Sequence, residues 1–206
     1  MTIRYHKNDL PDLTHYHSAN TVAVDSETLG LNLQRDRLCV VQLSPGDGSA
    51  DVVQIEKGQE AAPVLEQLLT DPSKTKIFHY ARFDVAILRR NLGIAVNPVW
   101  CTKIASKLAR TYTDRHGLKD ITRELLTVEL SKQQQSSDWA AAELSEAQLA
   151  YAASDVLYLH ELKAKLEFML ARENRMHLAD ACFGFLPTRA ELDLGGWEDT
   201  DIFAHS

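Results

Sequence analysis

The sequence predicts an α/β protein, a mixed β-sheet flanked by helices, and three observations carry that reading. Thr21 to Glu27, TVAVDSE, sets β-branched Val22 and Val24 in a strand pattern. Arg37 to Leu43 and Asp51 to Ile55 are two further strand-like runs, joined through the turn-forming Pro45 to Ser49, and suggest an antiparallel meander. Beyond residue 60, short apolar runs alternate with three-to-four-residue apolar periods, as strands alternating with helices require.

Length and composition set bounds on this reading. At 206 residues, 45% hydrophobic and 25% charged, the chain is expected to fill one core in a soluble globular protein. Cys39, Cys101 and Cys182 are odd in number and widely spaced, which argues against a disulfide framework and against a thiolate zinc site. With no run near the roughly 20 apolar residues of a spanning helix, no membrane is expected, and a reducing cytoplasm fits. The formal charge of −7 is unevenly placed: Lys74 to Arg123 holds eleven Lys or Arg against Asp84, Asp114 and Asp120, a net of +8, leaving −15 elsewhere. That basic middle reads either as a phosphate-binding face or as the solvated sides of several helices.

In chain order, residues 1–20 are polar and read as surface, with His6, His15 and His17 among them. After the three strands, Glu60 to Leu69 carries the helical stripe Val64, Leu65, Leu68 and Leu69. Lys76 to Ala81 reads as a strand, and Arg82 to Leu92 as a helix stopped by Gly93. Pro98 precedes another strand-to-helix transition, VWCTKIASKLA, and Gly117 to Leu126 is a further helix. Lys132 to Glu143 reads as a surface loop anchored by Trp139. Ser145 and Gln148 then form a capping box for a helix expected to run to about Glu173 on the stripe Leu149, Ala152, Val156, Leu159, Leu166 and Leu170.

Polar residues at the ends of these elements carry the chemistry. Asp25 and Glu27 are two apart on one strand, so they face the same way, and two carboxylates that close call for a cation between them unless they simply end in a solvated turn. Asp84, in HYARFD, sits in the first turn of a helix, where the dipole alone favours an acid; if the strand ending at His79 and Tyr80 shares a sheet with Thr21 to Glu27, it lies on the same edge as Asp25 and Glu27. Tyr151 and Asp155, four apart, share one face of the capped helix.

The three stretches VAVDSETLGL, HYARFD and YAASD, in this order, resemble the motifs of the DEDD superfamily of 3′→5′ exonucleases, in its tyrosine-containing branch and the RNase D group. The resemblance extends over roughly residues 20 to 170 and implies an RNase H-like fold. It also implies that Asp25, Glu27, Asp84 and Asp155 hold two divalent ions, Mg²⁺ or Mn²⁺, with Asp25 shared between them, and that Tyr151 orients the attacking water. Leu31 matches the position of an apolar wedge between the last two bases, its alternative being a core leucine. His79 and Tyr80 match contacts to the terminal nucleotide, their alternative being ordinary packing.

RNase D proper continues into further helical domains, whereas about 30 residues follow the last helix expected here; in this the chain is similar to NrnC-type nanoRNases, which act on very short oligonucleotides as ring-shaped homo-oligomers. Cys101, and Ala142 with Glu143, depart from the group at positions outside the metal set. The expectation is therefore an exonuclease domain over residues 1–188 acting on short RNA or DNA with a free 3′ end. A tail over 189–206, acidic yet carrying Leu192, Leu194, Trp197, Ile202 and Phe203, is expected either to fold back or to dock on a neighbouring subunit. Two rivals stay open, a DNA-preferring repair or proofreading exonuclease and a non-catalytic nucleic-acid-binding module on the same fold.

Overall fold

The computed structural model describes residues 2–131 and 133–205. Met1, Lys132 and Ser206, which open the polar N-terminal segment, open the expected loop and close the expected tail, lie outside the described residues. Six strands form one mixed sheet: β1 (Thr2–Lys7), β2 (Thr21–Thr28), β3 (Leu38–Ser44), β4 (Ser49–Gln54), β5 (Thr75–Phe78) and β6 (Val99–Cys101), in the spatial order β1-β4-β3-β2-β5-β6. The expected meander is present, since β2, β3 and β4 pair antiparallel, while β5 joins β2 and β6 joins β5 in parallel. Strand β2 is thereby central, and its C-terminal end lies beside that of β5.

Seven helices cover the sheet among the described residues: α1 (Pro63–Thr70), α2 (Ala81–Leu92), α3 (Thr102–Ala109), α4 (Leu118–Leu126), α5 (Glu146–Leu157), α6 (Leu159–Arg172) and α7 (Met176–Leu192). Helix α2 stops where Gly93 takes φ 71°, and the capping box of α5 is made, with Gln148 N donating to Ser145 Oγ at 3.3 Å and Ser145 N to Gln148 Oε1 at 3.0 Å. Side chains of β3 and β4 alternate between two apolar clusters. Val41 and Val53 join the main core, while Val40 and Val52 face Ala152 of α5 and the buried anchor Trp139. The Gln148 amide donates to Ser137 Oγ and Asp138 O and so fastens the loop carrying that tryptophan.

The structure corrects three expectations. Residues 2–7 are not free surface but an edge strand parallel to β4, whose alternate side chains Arg4 and His6 both bond to the buried Asp51, as does Tyr16 at 2.6 Å. The long helix from Ser145 is two helices broken at Tyr158 (φ −99°, ψ −4°); the apolar stripe passes through the break at Val156, Leu159 and Leu162, so periodicity carries no sign of it. Third, α7 follows it, with Ala179, Phe183, Leu186 and Ala190 buried on one face despite Gly184 and Pro187 within it. It packs on α2 and on Trp100, whose ring lies 5.0 Å from that of Phe183.

Helix α7 crosses the position 188/189, and the segment after it lies on its own chain. Asp193, 2% exposed, accepts from Arg82 Nε at 2.6 Å and Nη2 at 2.7 Å and from Arg189, while Gln34 Nε2 donates to Leu194 O. Ile202 and Phe203, further along, are exposed, the Phe203 ring lying tilted against that of Phe185 with 5.9 Å between centroids.

Candidate active site

All eight residues singled out from sequence, Asp25, Glu27, Leu31, His79, Tyr80, Asp84, Tyr151 and Asp155, line one cleft of about 340 Å³ at the C-terminal ends of β2 and β5. Strand alternation turns Asp25 and Glu27 of β2 toward the sheet face that α5 covers, and the four-residue spacing on α5 aims Tyr151 and Asp155 back at them. One carboxylate oxygen each from Asp25, Glu27 and Asp155 fall within 4.8 Å of one another. Asp84 stands apart from this trio. It arrives on α2, and its Oδ1 accepts from Ser26 Oγ at 2.6 Å, Ser26 being the β2 residue that points opposite to its two acidic neighbours.

None of the ion pairs among the described residues involves Asp25, Glu27, Asp84 or Asp155. Burial pushes the Asp25 carboxyl up to about 7, and burial followed by the Asp25 charge pushes Asp155 up to about 8. Glu27 rises to about 10, through burial and then the charges of Asp25, Asp155 and Asp84, and Asp84 is itself raised well above the carboxylate range, mainly by burial. Without cations these groups resist ionisation near neutral pH. An oxygen-only donor set under this degree of mutual repulsion fits hard divalent cations, and Asp25, Glu27, Asp84 and Asp155 are the residues that would hold them.

Tyr151 is half-buried against Trp139, ring centroids 6.0 Å apart, so the loop anchor also supports the phenol from behind. Burial, then the charges of Asp155, Glu27 and Asp25, hold the phenol protonated well beyond its ordinary range. On the opposite wall, Thr102 Oγ1 donates to Phe78 O at 3.1 Å, and having spent its one proton it can only accept from His79 Nδ1 at 2.8 Å. His79 therefore carries a proton on Nδ1, and with its pKa pushed down to about 3 by burial and by Lys103 the ring is neutral, which leaves Nε2 as an acceptor. Tyr80 caps α2 at φ 68°, a left-handed conformation that costs a tyrosine about 1–2 kcal/mol and lets the chain turn from β5 into the helix within two residues. Its exposed ring faces the cleft, with Lys103 Nζ 4.3 Å from the centroid. Leu31 is 82% exposed, which removes the core-leucine alternative.

The basic middle of the chain divides between two roles. Lys76 is buried and donates to three backbone carbonyls, and Arg110 is buried against Glu124. Lys103 and Lys119 line the cleft, and sequence reasoning had them only as members of a charged stretch. Ser26 and Gln42, which bond to Asp84 and Asp25, escaped it as well; alternation and the β2–β3 register are the signals that locate them.

Fold and site together define a nuclease-type α/β hydrolase. A family model described as "3'-5' exonuclease" matches residues 6–171, and this chain belongs to that family. It is 34% identical to the ribonuclease D of Acidiphilium cryptum and 35% identical to that of Gluconacetobacter diazotrophicus, each over 155 residues that make up 75% of this chain and 39% of the relative. The chain thus spans about two fifths of the length of these relatives. Among solved structures, Brucella melitensis NrnC with bound Mg²⁺ is 66% identical with a TM-score of 0.96, and the same protein bound to pGG is 66% identical with a TM-score of 0.97, both matched over 100% of each chain. Escherichia coli RNase D matches 84% of this chain and 45% of its own at 25% identity and a TM-score of 0.74. The six-stranded mixed sheet with its helices is the RNase H-like exonuclease fold of these proteins.

Two outcomes follow from the site's electrostatics. Because all four carboxyls are raised, they bind more protons in the ion-free fold than in the unfolded chain between about pH 4 and about pH 10, so the stability they contribute falls as pH rises through that window, and Glu27→Gln should flatten the fall of Tm with pH. Mg²⁺ at a hundred times its Kd should return about 2.7 kcal/mol, or roughly 5–10 °C at this chain length, and more at high pH than at low. A Tm indifferent to Mg²⁺ at pH 8 would contradict the metal assignment. Tyr151→Phe keeps the ring against Trp139 and removes only the hydroxyl; its single-turnover rate should drop by about 10²- to 10⁴-fold, and an unchanged rate would make Tyr151 structural.

Proposed function

We propose that this chain is a metal-dependent 3′→5′ exonuclease that removes nucleoside 5′-monophosphates from the 3′ ends of short oligoribonucleotides. The observation that carries the reading is the convergence of Asp25, Glu27 and Asp155 to within 4.8 Å, unpaired, in a cleft that also takes in Asp84 and Tyr151. Divalent ions, two Mg²⁺ or Mn²⁺ in this reading, neutralise phosphate charge and ease ionisation of water when bound. Asp25, Glu27, Asp84 and Asp155 would hold them. The phosphorus of the last phosphodiester is attacked by water that Tyr151 orients, and the bond to the 3′-oxygen of the penultimate nucleotide breaks, leaving a new 3′-hydroxyl. Leu31, standing exposed at the rim, wedges between the last two bases, and Tyr80 packs against the terminal one. The Nε2 acceptor of His79 takes a donor from the same nucleotide. Short RNA as substrate is supported by similarity to a protein whose structure contains pGG.

A closed homo-oligomer working in the cytoplasm completes the proposal. No helix among the described residues is long and apolar enough to cross a membrane. A groove of about 300 Å³ between α3 and α7 has Ile104, Phe185 and Leu186 in its lining and Lys103, Lys107 and Arg189 beside them. The end of the chain offers the complement in Asp199, Asp201, Ile202 and Phe203, which a neighbouring subunit of a ring can present.

The catalytic reading is tested with labelled RNA and DNA of two nucleotides upward, in Mg²⁺ and in Mn²⁺. Stepwise release of 5′-monophosphates from the 3′ end, fastest on the shortest RNA, is expected from the full chain, and Asp25→Asn should cleave nothing while keeping its fold. Equal turnover in EDTA, or an active Asp25→Asn protein, would refute it, and faster cleavage of DNA would move the substrate to the DNA-preferring class. For assembly, a cut after Pro187 would remove the last turn of α7 together with Asp193, so the informative truncation is after Thr200. Light scattering should then show a smaller particle, and the preference for short substrates should relax; an unchanged mass would end the role proposed for the chain's last residues.

A further inference from the structure

Gln42 lies on β3 directly opposite Asp25 in the antiparallel register and is fully buried. Its Nε2 donates to Asp25 Oδ2 at 3.1 Å, while its Oε1 is buried with no hydrogen-bond partner among the described residues. With Asp25 ionised, as a cation requires, turning the amide over would set two acceptors face to face, so the carboxylate fixes which way the amide points. An orphaned amide oxygen is a net cost to folding, and an apolar side chain of equal length would fill the same space without it. What the glutamine adds is therefore its donor, and that donor is directed at Asp25.

The charge of the donor matters as much as its reach. A lysine or arginine here would also grip Asp25 but would cancel the negative charge that a cation needs, whereas a neutral amide holds one oxygen and leaves the charge intact. The register adds stiffness, since Asp25 and Gln42 hang from paired backbones in the middle of the sheet rather than from a loop. We infer that Gln42 is a positioning residue for the divalent-ion site, orienting the Asp25 carboxylate before the ion arrives; the inference rests on the metal-dependent reading given above.

The test is calorimetric titration of Mg²⁺ into the full chain without substrate, alongside the Tm of the ion-free protein. Gln42→Met keeps length and packing and removes both the donor and the orphaned oxygen. It should bind Mg²⁺ about 10- to 100-fold more weakly while its ion-free Tm stays at or above that of the parent, and the Mg²⁺ concentration for half-maximal cleavage should rise by the same factor. Gln42→Asn, which keeps an amide one methylene short of Asp25, should show the same loss of affinity. Parental affinity in either variant would overturn the inference, and so would a lost affinity that merely tracks a lower ion-free Tm, because that is the mark of a structural glutamine. A parent chain that binds no Mg²⁺ would instead overturn the metal-dependent reading beneath it.

Discussion

The constraint on which this molecule turns is that carboxylates gathered in a half-buried cleft repel one another and resist ionisation unless cations join them. Asp25 and Glu27 could each have been solvated at a strand end, and Asp84 could have been a plain dipole-favoured acid in a first turn. Instead β2 and α5 bring three of them together and the neighbouring residues leave all four without a basic partner. The fold around them serves to keep these groups close at a cost in the ion-free state. Strand β2 is central and hydrogen-bonded on both sides, α5 is pinned by a capping box, and the loop ahead of it is tied down through Gln148 and Trp139.

The two sheet faces then separate the acids by role. Alternation sends Asp25 and Glu27 to the α5 face and Ser26 to the other, where it meets Asp84 on α2. One strand thus reaches acids on helices from both layers through three consecutive side chains. This gives Asp84 a surrounding different from that of Asp155: it is more fully buried, and its hydroxyl donor is Ser26 of β2, whereas the hydroxyl at Asp155 is that of Tyr151. In each case a neutral donor orients the carboxyl and leaves its charge for a cation, as the Gln42 amide does at Asp25.

Much of this was legible in the sequence because it rests on short-range periods. A spacing of two on a strand put Asp25 beside Glu27, a spacing of four on a helix put Tyr151 beside Asp155, and the capping box, the Gly93 stop and the β2–β3–β4 meander are local patterns of the same kind. What was not legible depended on partners far along the chain. Residues 2–7 read as polar surface because their inward positions are Arg4 and His6, which only a distant buried aspartate, Asp51, makes suitable for a sheet. Helix α7 was hidden by Gly184 and Pro187, although Ala179, Phe183, Leu186 and Ala190 keep the period of a buried face. The break at Tyr158 left no trace, since the stripe it interrupts stays in phase. The donors that tune the acids, Ser26 and Gln42, carry no signal of their own until register is known.

The segment after α7 braces the mouth of the cleft. Asp193 is clamped by Arg82, two residues before Asp84, and by Arg189 of α7, so the start of α2 is tied to the end of α7. The next residue, Leu194, accepts from Gln34, and Arg90 of α2 bonds to that same glutamine, so the loop that carries Leu31 is fastened to both. Within that loop Asp36 accepts from Asn32 N at 3.0 Å and packs where a Cβ on Gly30 would stand 2.3 Å from its carboxylate, which leaves glycine as the fitting residue at position 30. The loop that carries Leu31 and the helix that bears Asp84 are thus held by one short stretch of chain, residues 193–194. A buried carboxylate clamped by two guanidiniums yields less readily than an exposed loop, because separating them would strand charge away from water. The mouth of this cleft is accordingly braced by contacts between segments far apart in the chain, Gln34, Arg82, Arg189 and Asp193 among them.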